Sequence, residues 1–294
     1  MMQGLLTLDD VNTAYIGSDF SIERICLSLD YGDVLTLYGR EGSGKTLILR
    51  TIAGLEACSG NILLDGKKLS DIQFKDRDIG YTFDFSSLGK DKSVGEILEY
   101  PMRLRNYDDN RIADIIKSVE EKYSLCKEDK VESLSEFEKV KLILARLFCI
   151  QRRLYLVDDI WKDLQDQERS VIADILQVAI EGKSVIIATQ DVELARRLGK
   201  NNISVVANGE CSKNCSLEEM TSRPINIESA ILCGYAIYMD VLGKNEQGYF
   251  ANIDGKVYQV DRPLNDIYVG KQVCFAYDGK VRFYYDKDCE KIIS

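Results

Sequence analysis

A glycine-rich octapeptide carries the clearest chemistry in this sequence of 294 residues. It runs Gly39-Arg40-Glu41-Gly42-Ser43-Gly44-Lys45-Thr46 and satisfies the pattern G-x-x-x-x-G-K-[ST]. In such a loop, successive backbone N–H groups and a helix N-terminus face the β- and γ-phosphates of a nucleotide. The Lys45 ammonium adds a positive charge, and the Thr46 hydroxyl can ligate Mg²⁺. These residue types predict a phosphate-binding loop. Four of the loop residues are small and are expected to bind the nucleotide through their backbone: Gly39, Gly42, Ser43 and Gly44.

The segments on either side supply the context that such a loop requires. Residues 34–38 form a short, β-rich apolar run, which is typical of a buried strand. After the loop, Leu47, Ile48 and Ile52 recur at helical spacing. A strand, a glycine loop and a helix in this order strongly favour a phosphate loop over an ordinary glycine-rich surface turn. Glu41 places a negative charge inside the loop, which is compatible with binding only if its side chain points to solvent.

Composition excludes several classes of function. With 45% hydrophobic and 29% charged residues, the chain can bury a large core, and its length favours one large domain and one small one. A net charge of -10 argues against binding to nucleic acid or to anionic lipid. No histidine is present, so acid–base mechanisms that use histidine are excluded. No apolar stretch approaches the roughly 20 residues of a membrane span, so we expect a cytoplasmic protein that reaches a membrane only through a protein partner.

Acidic and amide side chains follow several predicted strands. Asp158 and Asp159 come directly after the apolar run 154–157, where an α/β nucleotide site keeps its metal-binding carboxylate. Asp84 follows the predicted strand 79–83, and Gln190 follows the strand that begins near residue 183. Tyr15 lies between two β-rich segments and could stack on a nucleotide base, but packing at a strand edge is the favoured alternative from the sequence alone.

The pattern along the chain predicts two domains of different texture. Strands that alternate with helices over residues 1–210 predict a mainly parallel sheet covered on both faces, with a helical insertion over about 85–150. Within it, Ser135 and Glu138 match a capping box before a long amphipathic helix. Residues 211–228 are expected to be a linker. The remainder, 229–294, is β-rich, and the pairs Asp254-Gly255 and Asp278-Gly279 predict two hairpins of a small closed or half-closed barrel.

The order of these segments resembles the ATP-binding subunit of ABC transporters, over essentially residues 4–285. It is most similar to the importer type that carries a C-terminal TOBE-like, OB-related β-domain, as in the ATPases of maltose and other sugar importers. Gly39–Thr46 is in the position of the Walker A loop, Asp158 ends the Walker B strand, and Ala145-Arg146 closes the signature helix. Tyr15 occupies the position of the adenine-stacking residue, and in this context the stacking role is favoured.

The resemblance implies a P-loop NTPase fold, with ATP and Mg²⁺ as cofactors. Thr46 and Asp158, with Asp84, are implied as metal ligands, and Ser135 is implied as a nucleotide contact. The implied partners are the transmembrane subunits of an ABC permease and a second ATP-binding subunit, identical or different. The implied location is the inner face of the cell membrane, and the helical insertion is expected to contact the permease. Tyr100, Pro101 and Met102 are candidate contacts, with the alternative that they belong to the core.

Several motif residues of the family are replaced here. Of the Leu-Ser-Gly-Gly-Gln signature, Leu134 and Ser135 remain, whereas Glu136 and Phe137 replace the glycines. Those glycines let the backbone approach the γ-phosphate held by the opposite subunit, so a carboxylate and a phenyl ring add repulsion and bulk. Asp84 stands in place of the Q-loop glutamine. It can still face the metal, but with a shorter stem.

The residues implied to catalyse hydrolysis also differ. Asp159 replaces the general-base glutamate and is one methylene shorter, and Gln190 replaces the switch histidine and cannot titrate. In the D-loop, Lys162 and Gln165 stand where the family has serine and aspartate. We therefore expect retained Mg-ATP binding and slow hydrolysis, unless neighbouring residues restore these roles.

Two functions follow as hypotheses. The first is an ATP-binding subunit that powers or regulates solute import, of the sugar type by resemblance, although importers of polyamines, phosphate, sulfate or metal chelates share the architecture. The second is a catalytically silent nucleotide-binding regulator or scaffold that dimerises on ATP.

Overall fold

The computed structural model describes residues 4–82, 88–222, 226–234, 236–245, 248–253, 256–260, 272–277 and 281–286. The chain divides into two compact units, Met1–Asn214 and Cys215–Ser294.

A mixed sheet is the centre of the first unit. Its strands are β1 Leu6–Ala14, β2 Ser21–Leu29, β3 Val34–Tyr38, β4 Cys58–Leu64, β5 Lys67–Lys68, β6 Ile79–Tyr81, β7 Leu154–Val157, β8 Val185–Thr189, β9 Ile203–Ala207 and β10 Glu210–Cys211. Within the described ranges these ten strands follow the order β5-β4-β1-β2-β10-β9-β3-β8-β7-β6. The strands β9, β3, β8, β7 and β6 are parallel to their neighbours among these five.

The prediction of a mainly parallel sheet is correct only for this half. In the other half, β1 pairs antiparallel with β2 and with β4, and β4 pairs antiparallel with β5. The cause lies in the connections, because the segment from β1 to β2 is too short for the crossover that parallel strands need. The phosphate loop and the strand-end carboxylates all belong to the parallel half.

Six helices cover the described part of this sheet. They are α1 Lys45–Ala53, α2 Val94–Arg103, α3 Asp109–Tyr123, α4 Glu136–Phe148, α5 Asp166–Ala179 and α6 Val192–Leu198. The apolar face of α1 packs with the strands of the antiparallel half in one buried cluster, and α2, α3 and α4 share a second cluster with Trp161. The predicted capping box is present, since Ser135 and Glu138 cap α4 reciprocally. None of the helices in the described ranges combines the length and the apolar character that a membrane span needs.

The second unit contains two short helices and an antiparallel sheet. The helices are α7 Leu217–Ser222, which lies within the segment 211–228 predicted as a linker, and α8 Ile227–Leu232, which begins at the end of that segment. The strands are β11 Ala236–Asn245, β12 Gly248–Ile253, β13 Lys256–Val260, β14 Gln272–Tyr277 and β15 Val281–Asp286, in the order β13-β12-β11-β14-β15. The strands on either side of each predicted Asp-Gly turn pair antiparallel, as the sequence predicts. The turn residues themselves lie outside the described residues.

Candidate nucleotide-binding site

The glycine-rich loop connects β3 to α1 and needs glycine for steric reasons. Gly44 precedes α1 with a φ of 105°, in the left-handed region. A Cβ on Gly44 would lie 2.2 Å from Cδ1 of Ile22, and a Cβ on Gly39 would lie 2.2 Å from the backbone oxygen of Val206. Only glycine permits both close approaches. Between them, Ser43 has a buried hydroxyl oxygen with no hydrogen-bond partner among the described residues. This packing brings the loop backbone into close contact with β2 and β9.

A cavity of about 870 Å³ opens beside the loop, at the carboxyl ends of the parallel strands. It brings together most of the predicted site residues, namely Tyr15, Gly42, Gly44, Lys45, Thr46, Asp158, Asp159 and Gln190. Its volume is in the range typical of sites for small molecules and cofactors. Asp84, the third predicted metal ligand, lies outside the described residues.

Lys45 is buried at the base of the loop. Its ammonium donates hydrogen bonds to the backbone oxygens of Gly39, at 2.7 Å, and Arg40, at 2.8 Å. These bonds hold the positive charge inside the curve of the loop. An anionic group in the cavity would be attracted to this ammonium at short range.

Asp158 is held by hydroxyl groups on three sides. The Thr46 hydroxyl donates to Oδ1 of Asp158 at 3.0 Å, and the Tyr81 hydroxyl donates to Oδ2 at 2.9 Å. The backbone N–H of Asp158 donates to Oγ1 of Thr82 at 2.8 Å. Hydroxyl and carboxylate oxygens are the ligands that Mg²⁺ prefers, so the donor set of Thr46 and Asp158 fits this ion. Burial, together with the neighbouring Asp158 carboxylate, raises the pKa of Tyr81, so this hydroxyl stays a donor.

Asp159 lies deeper than Asp158. Its Oδ2 accepts a hydrogen bond from the backbone N–H of Gln190 at 3.0 Å, whereas its buried Oδ1 has no hydrogen-bond partner among the described residues. Burial raises the pKa of Asp159 to about 6, against the opposing effect of the Lys45 charge. A carboxylate with a free oxygen and a pKa near neutrality suits a general base. The backbone N–H of Gln190 positions the Asp159 carboxylate, and a backbone contact of this kind cannot be predicted from the residue types.

Two aromatic rings, those of Tyr15 and Phe20, form part of the cavity wall. Tyr15 follows β1, is half-buried, and packs with Phe20 against the apolar cluster of the antiparallel half. Both rings also line the cavity, together with Arg50, whose Nε lies 2.7 Å from a carboxylate oxygen of Glu56. Both sequence interpretations of Tyr15 are therefore compatible with its position, and base stacking stays a prediction. Phe20 and Tyr81 also line the cavity, but they belong to no motif of fixed spacing, so the sequence does not predict them as site residues.

Glu41 and Lys162 form an ion pair at the mouth of the cavity. The Lys162 ammonium lies 3.0 Å from Oε1 of Glu41, and the Glu41 side chain is 73% exposed. The hydrogen bond from Lys162 lowers the pKa of Glu41, which therefore carries its negative charge at neutral pH. Glu41 thus points to solvent, as binding requires, and Lys162 offsets its charge.

Removing one member of this pair is expected to change the affinity for ATP. Lys162→Ala leaves the Glu41 charge uncompensated near the phosphates, so we expect the affinity for ATP to fall. Glu41→Gln removes that negative charge and should raise the affinity. Both changes should be roughly threefold, because exposed charges interact weakly. Calorimetric titration at low and high salt measures both effects, which should shrink at high salt. Lys92→Ala is the matched control, because Lys92 is paired with Glu96 at 3.2 Å on the surface and does not line the cavity. An equal loss in that control would contradict a local role.

Ser135 does not line this cavity. It is exposed at the start of α4, where its Oγ accepts from the backbone N–H of Glu138 at 3.3 Å. Glu136 pairs with Lys139 at 2.6 Å, and the Lys141 ammonium lies 5.0 Å from the centre of the Phe137 ring. Any contact of Ser135 with a nucleotide therefore requires a second subunit, and this role stays a prediction.

Comparisons with known proteins agree with this geometry. Residues 22–162 match the family model described as "ABC transporter". The chain is 27% identical over 205 residues to the lipoprotein-releasing system ATP-binding protein LolD of Buchnera aphidicola subsp. Acyrthosiphon pisum (strain APS), covering 64% of this chain and 89% of LolD.

Two solved structures share the fold. CbiO1 from Clostridium perfringens, described as part of the ABC transporter complex cbiONQ, superposes with a TM-score of 0.66 at 19% identity, covering 75% of this chain and 91% of that one. A structure described as the ATP binding subunit of an ABC transporter gives a TM-score of 0.65 at 18% identity, with coverages of 74% and 92%. Residues 22–162, which contain the phosphate loop and Asp158, are therefore similar to the ATP-binding domain of ABC transporters.

Proposed function

We propose that the chain is an ATP-binding subunit that binds Mg-ATP and drives or regulates transport through a membrane permease. The observation that carries this proposal is the convergence of Lys45, Thr46 and Asp158 on one cavity at the end of the glycine loop. In this proposal the loop N–H groups and Lys45 hold the β- and γ-phosphates, and Thr46 and Asp158 hold Mg²⁺. The bound metal would neutralise phosphate charge, while the Tyr81 hydroxyl keeps the Asp158 carboxylate oriented and Thr82 holds the backbone N–H of Asp158.

The transported substrate is proposed only as a class. Sugar import rests on the sequence resemblance, whereas the relatives are named for lipoprotein release and for membership of a cbiONQ complex. We therefore keep the function at ATP-dependent transport through a permease at the cytoplasmic face of a membrane. The second unit, with its two hairpins, is proposed to be the TOBE-like, OB-related domain.

A groove in the first unit is the proposed docking site for the permease. It has a volume of about 490 Å³ and is lined by Leu55, Phe74, Leu104 and Arg146, among others. Phe74 and Leu104 are exposed apolar side chains, and Arg146 is half-buried with no carboxylate partner among the described residues. Burial lowers the pKa of Arg146, which shows that its charge is poorly solvated. A short helical segment with apolar side chains and a carboxylate would complement this groove.

The candidate permease contacts from the sequence separate in the structure. Tyr100 is exposed and Pro101 lines the groove, so both are available to a partner. Met102 is completely buried in the helical cluster, which agrees with the alternative that it belongs to the core. Helical geometry explains the difference, because neighbouring residues on a helix point in different directions.

Slow hydrolysis is part of the proposal. The carboxylate of Asp159 is one methylene shorter than the family's glutamate, and α4 begins with Glu136 and Phe137 in place of glycines. In a composite dimer site, each substitution weakens a different half, so no pairing with another subunit gives a fully intact site. These substitutions favour the alternative function as well, a silent nucleotide-binding regulator that dimerises on ATP.

Co-expression with the permease encoded by a neighbouring gene tests the proposed function. We expect an isolable complex whose ATP turnover exceeds that of the chain alone, and tight ATP binding without turnover in the complex would favour the regulator instead. Leu104→Glu should abolish the complex while ATP affinity stays unchanged. Val178→Glu is the matched control, since Val178 is a similarly exposed apolar residue on α5 and does not line the groove. A complex that survives Leu104→Glu, or that is equally lost with Val178→Glu, would contradict docking at this groove.

A further inference from the structure

A second cavity lies at the opposite ends of the parallel strands. It has a volume of about 620 Å³. Its lining includes the residues just before β3, β7 and β8, at the amino ends of these parallel strands, whereas the nucleotide cavity lies at their carboxyl ends. The two cavities therefore share no lining residue and can be studied separately.

Cations dominate the lining of this second cavity. Arg111, Arg152, Arg153 and Lys183 contribute positive charges, against the single carboxylate of Glu181. Four cations beside one acid are unexpected in a chain whose net charge is -10. Such a concentration of charge in a concave surface attracts anions.

Two of these cations have no carboxylate partner among the described residues. Arg152 lies 3.6 Å from Asp78 and Arg153 lies 3.4 Å from Asp65, so these two are partly compensated. In contrast, the Arg111 guanidinium lies over the Tyr107 ring at 3.9 Å, and the Lys183 ammonium lies 6.0 Å from the centre of the Phe148 ring. Aromatic faces hold these two cations in place without neutralising them.

A further lysine adds to the positive potential. Lys122 does not line the cavity, but burial and the nearby charge of Lys183 lower its pKa, so the Lys122 and Lys183 ammonium groups lie close enough to repel each other. Lys122 is on α3, as is Arg111, whereas Lys183 precedes β8. The cations therefore come from separate elements, and no single element's charge pattern explains them.

We propose that this cavity binds a small polyanion carrying two or more linked phosphate groups. The uncompensated charges of Arg111 and Lys183, with Arg152 and Arg153 close by, suit several anionic groups at once, and guanidinium groups match phosphate oxygens in geometry. The volume is typical of small-molecule sites and exceeds what a single phosphate would fill. This proposal does not depend on the proposed function, because Arg111, Arg153 and Lys183 line neither the nucleotide cavity nor the permease groove, and only Arg152 also lines that groove.

Binding of pyrophosphate to the full-length Lys45→Ala chain tests the proposal. That substitution removes the main phosphate-binding charge of the nucleotide cavity, and EDTA excludes metal complexes. Calorimetric titration should show one saturable site that binds pyrophosphate more tightly than inorganic phosphate. Adding Arg111→Gln and Lys183→Gln should weaken pyrophosphate binding at least about tenfold, since charge-assisted hydrogen bonds are lost.

The matched control carries Lys67→Gln and Lys117→Gln in the same Lys45→Ala chain. Both lysines are exposed and do not line the second cavity, and their replacement removes the same total charge as the Arg111→Gln and Lys183→Gln pair. Circular dichroism and thermal unfolding verify that each variant is folded. If the variant that carries both Arg111→Gln and Lys183→Gln is not folded, Lys183→Gln alone is used in its place. Absence of saturable binding, equal weakening in the control, or equal affinity for phosphate and pyrophosphate would each overturn the proposal.

Discussion

Replacing Lys45 by alanine is expected to lower the affinity for Mg-ATP by roughly 100-fold, since a buried cation that bonds directly to phosphate is lost. The Lys45 ammonium is held by the backbone oxygens of Gly39 and Arg40. Without it, those two oxygens are left facing the incoming phosphates, which adds repulsion to the lost attraction. Calorimetric titration with a slowly hydrolysed ATP analogue measures the change directly.

A second buried lysine provides the control for this experiment. Lys141 on α4 is 7% exposed, close to the 5% of Lys45, but does not line the nucleotide cavity. Lys141→Ala should therefore alter stability without changing ATP affinity. If Lys45→Ala keeps its affinity within about threefold, the assignment of the phosphate loop is wrong, because ATP would then bind without the central cation of that loop.

The parts of the site that depend on local spacing could be predicted from the sequence. The phosphate loop follows from one octapeptide and its flanks, and the cap of α4 by Ser135 and Glu138 follows from four residues. Asp158 and Asp159 lie at the carboxyl end of β7, a position that follows from the sequence because the carboxyl ends of parallel strands meet at one side of a sheet. In each case a short stretch of chain contains the whole physical reason.

The remaining parts depend on contacts between distant segments. Tyr81 donates a hydrogen bond to Asp158, 77 positions away in the sequence. Position 44 must be glycine because the side chain of Ile22, on β2, leaves no room for a Cβ. The antiparallel half of the sheet arises from how β1 pairs with β2 and β4, which alternation of strands and helices does not specify. Periodicity also does not decide which residues of a helix are buried, and Met102 is an example, because its burial is known only from the structure.

Hydrolysis by this chain is expected to depend on Asp159 and to fall as pH decreases through about 6. The pKa of Asp159 is raised to about 6 by burial, and a general base must be deprotonated. The carboxylate is therefore mainly charged at pH 7.5 and mainly protonated at pH 5, so kcat/KM should decline on the acidic side with a midpoint near this pKa. Asp159→Asn should lower turnover by roughly 10²–10⁴-fold and remove this part of the pH profile.

Asp163→Asn separates this role from a general effect of negative charge. Asp163 lines the same cavity but is exposed, so its loss should change turnover little and leave the pH profile intact. Asp159→Glu tests the length of the side chain, because the added methylene brings the carboxylate closer to the position of the family's base and should raise turnover. Wild-type turnover above roughly 1 s⁻¹, an ordinary enzymatic rate, would contradict impaired hydrolysis. With turnover that fast and unchanged by Asp159→Glu, the shorter carboxylate would already be a competent base, and its free Oδ1 would be the atom that accepts the proton.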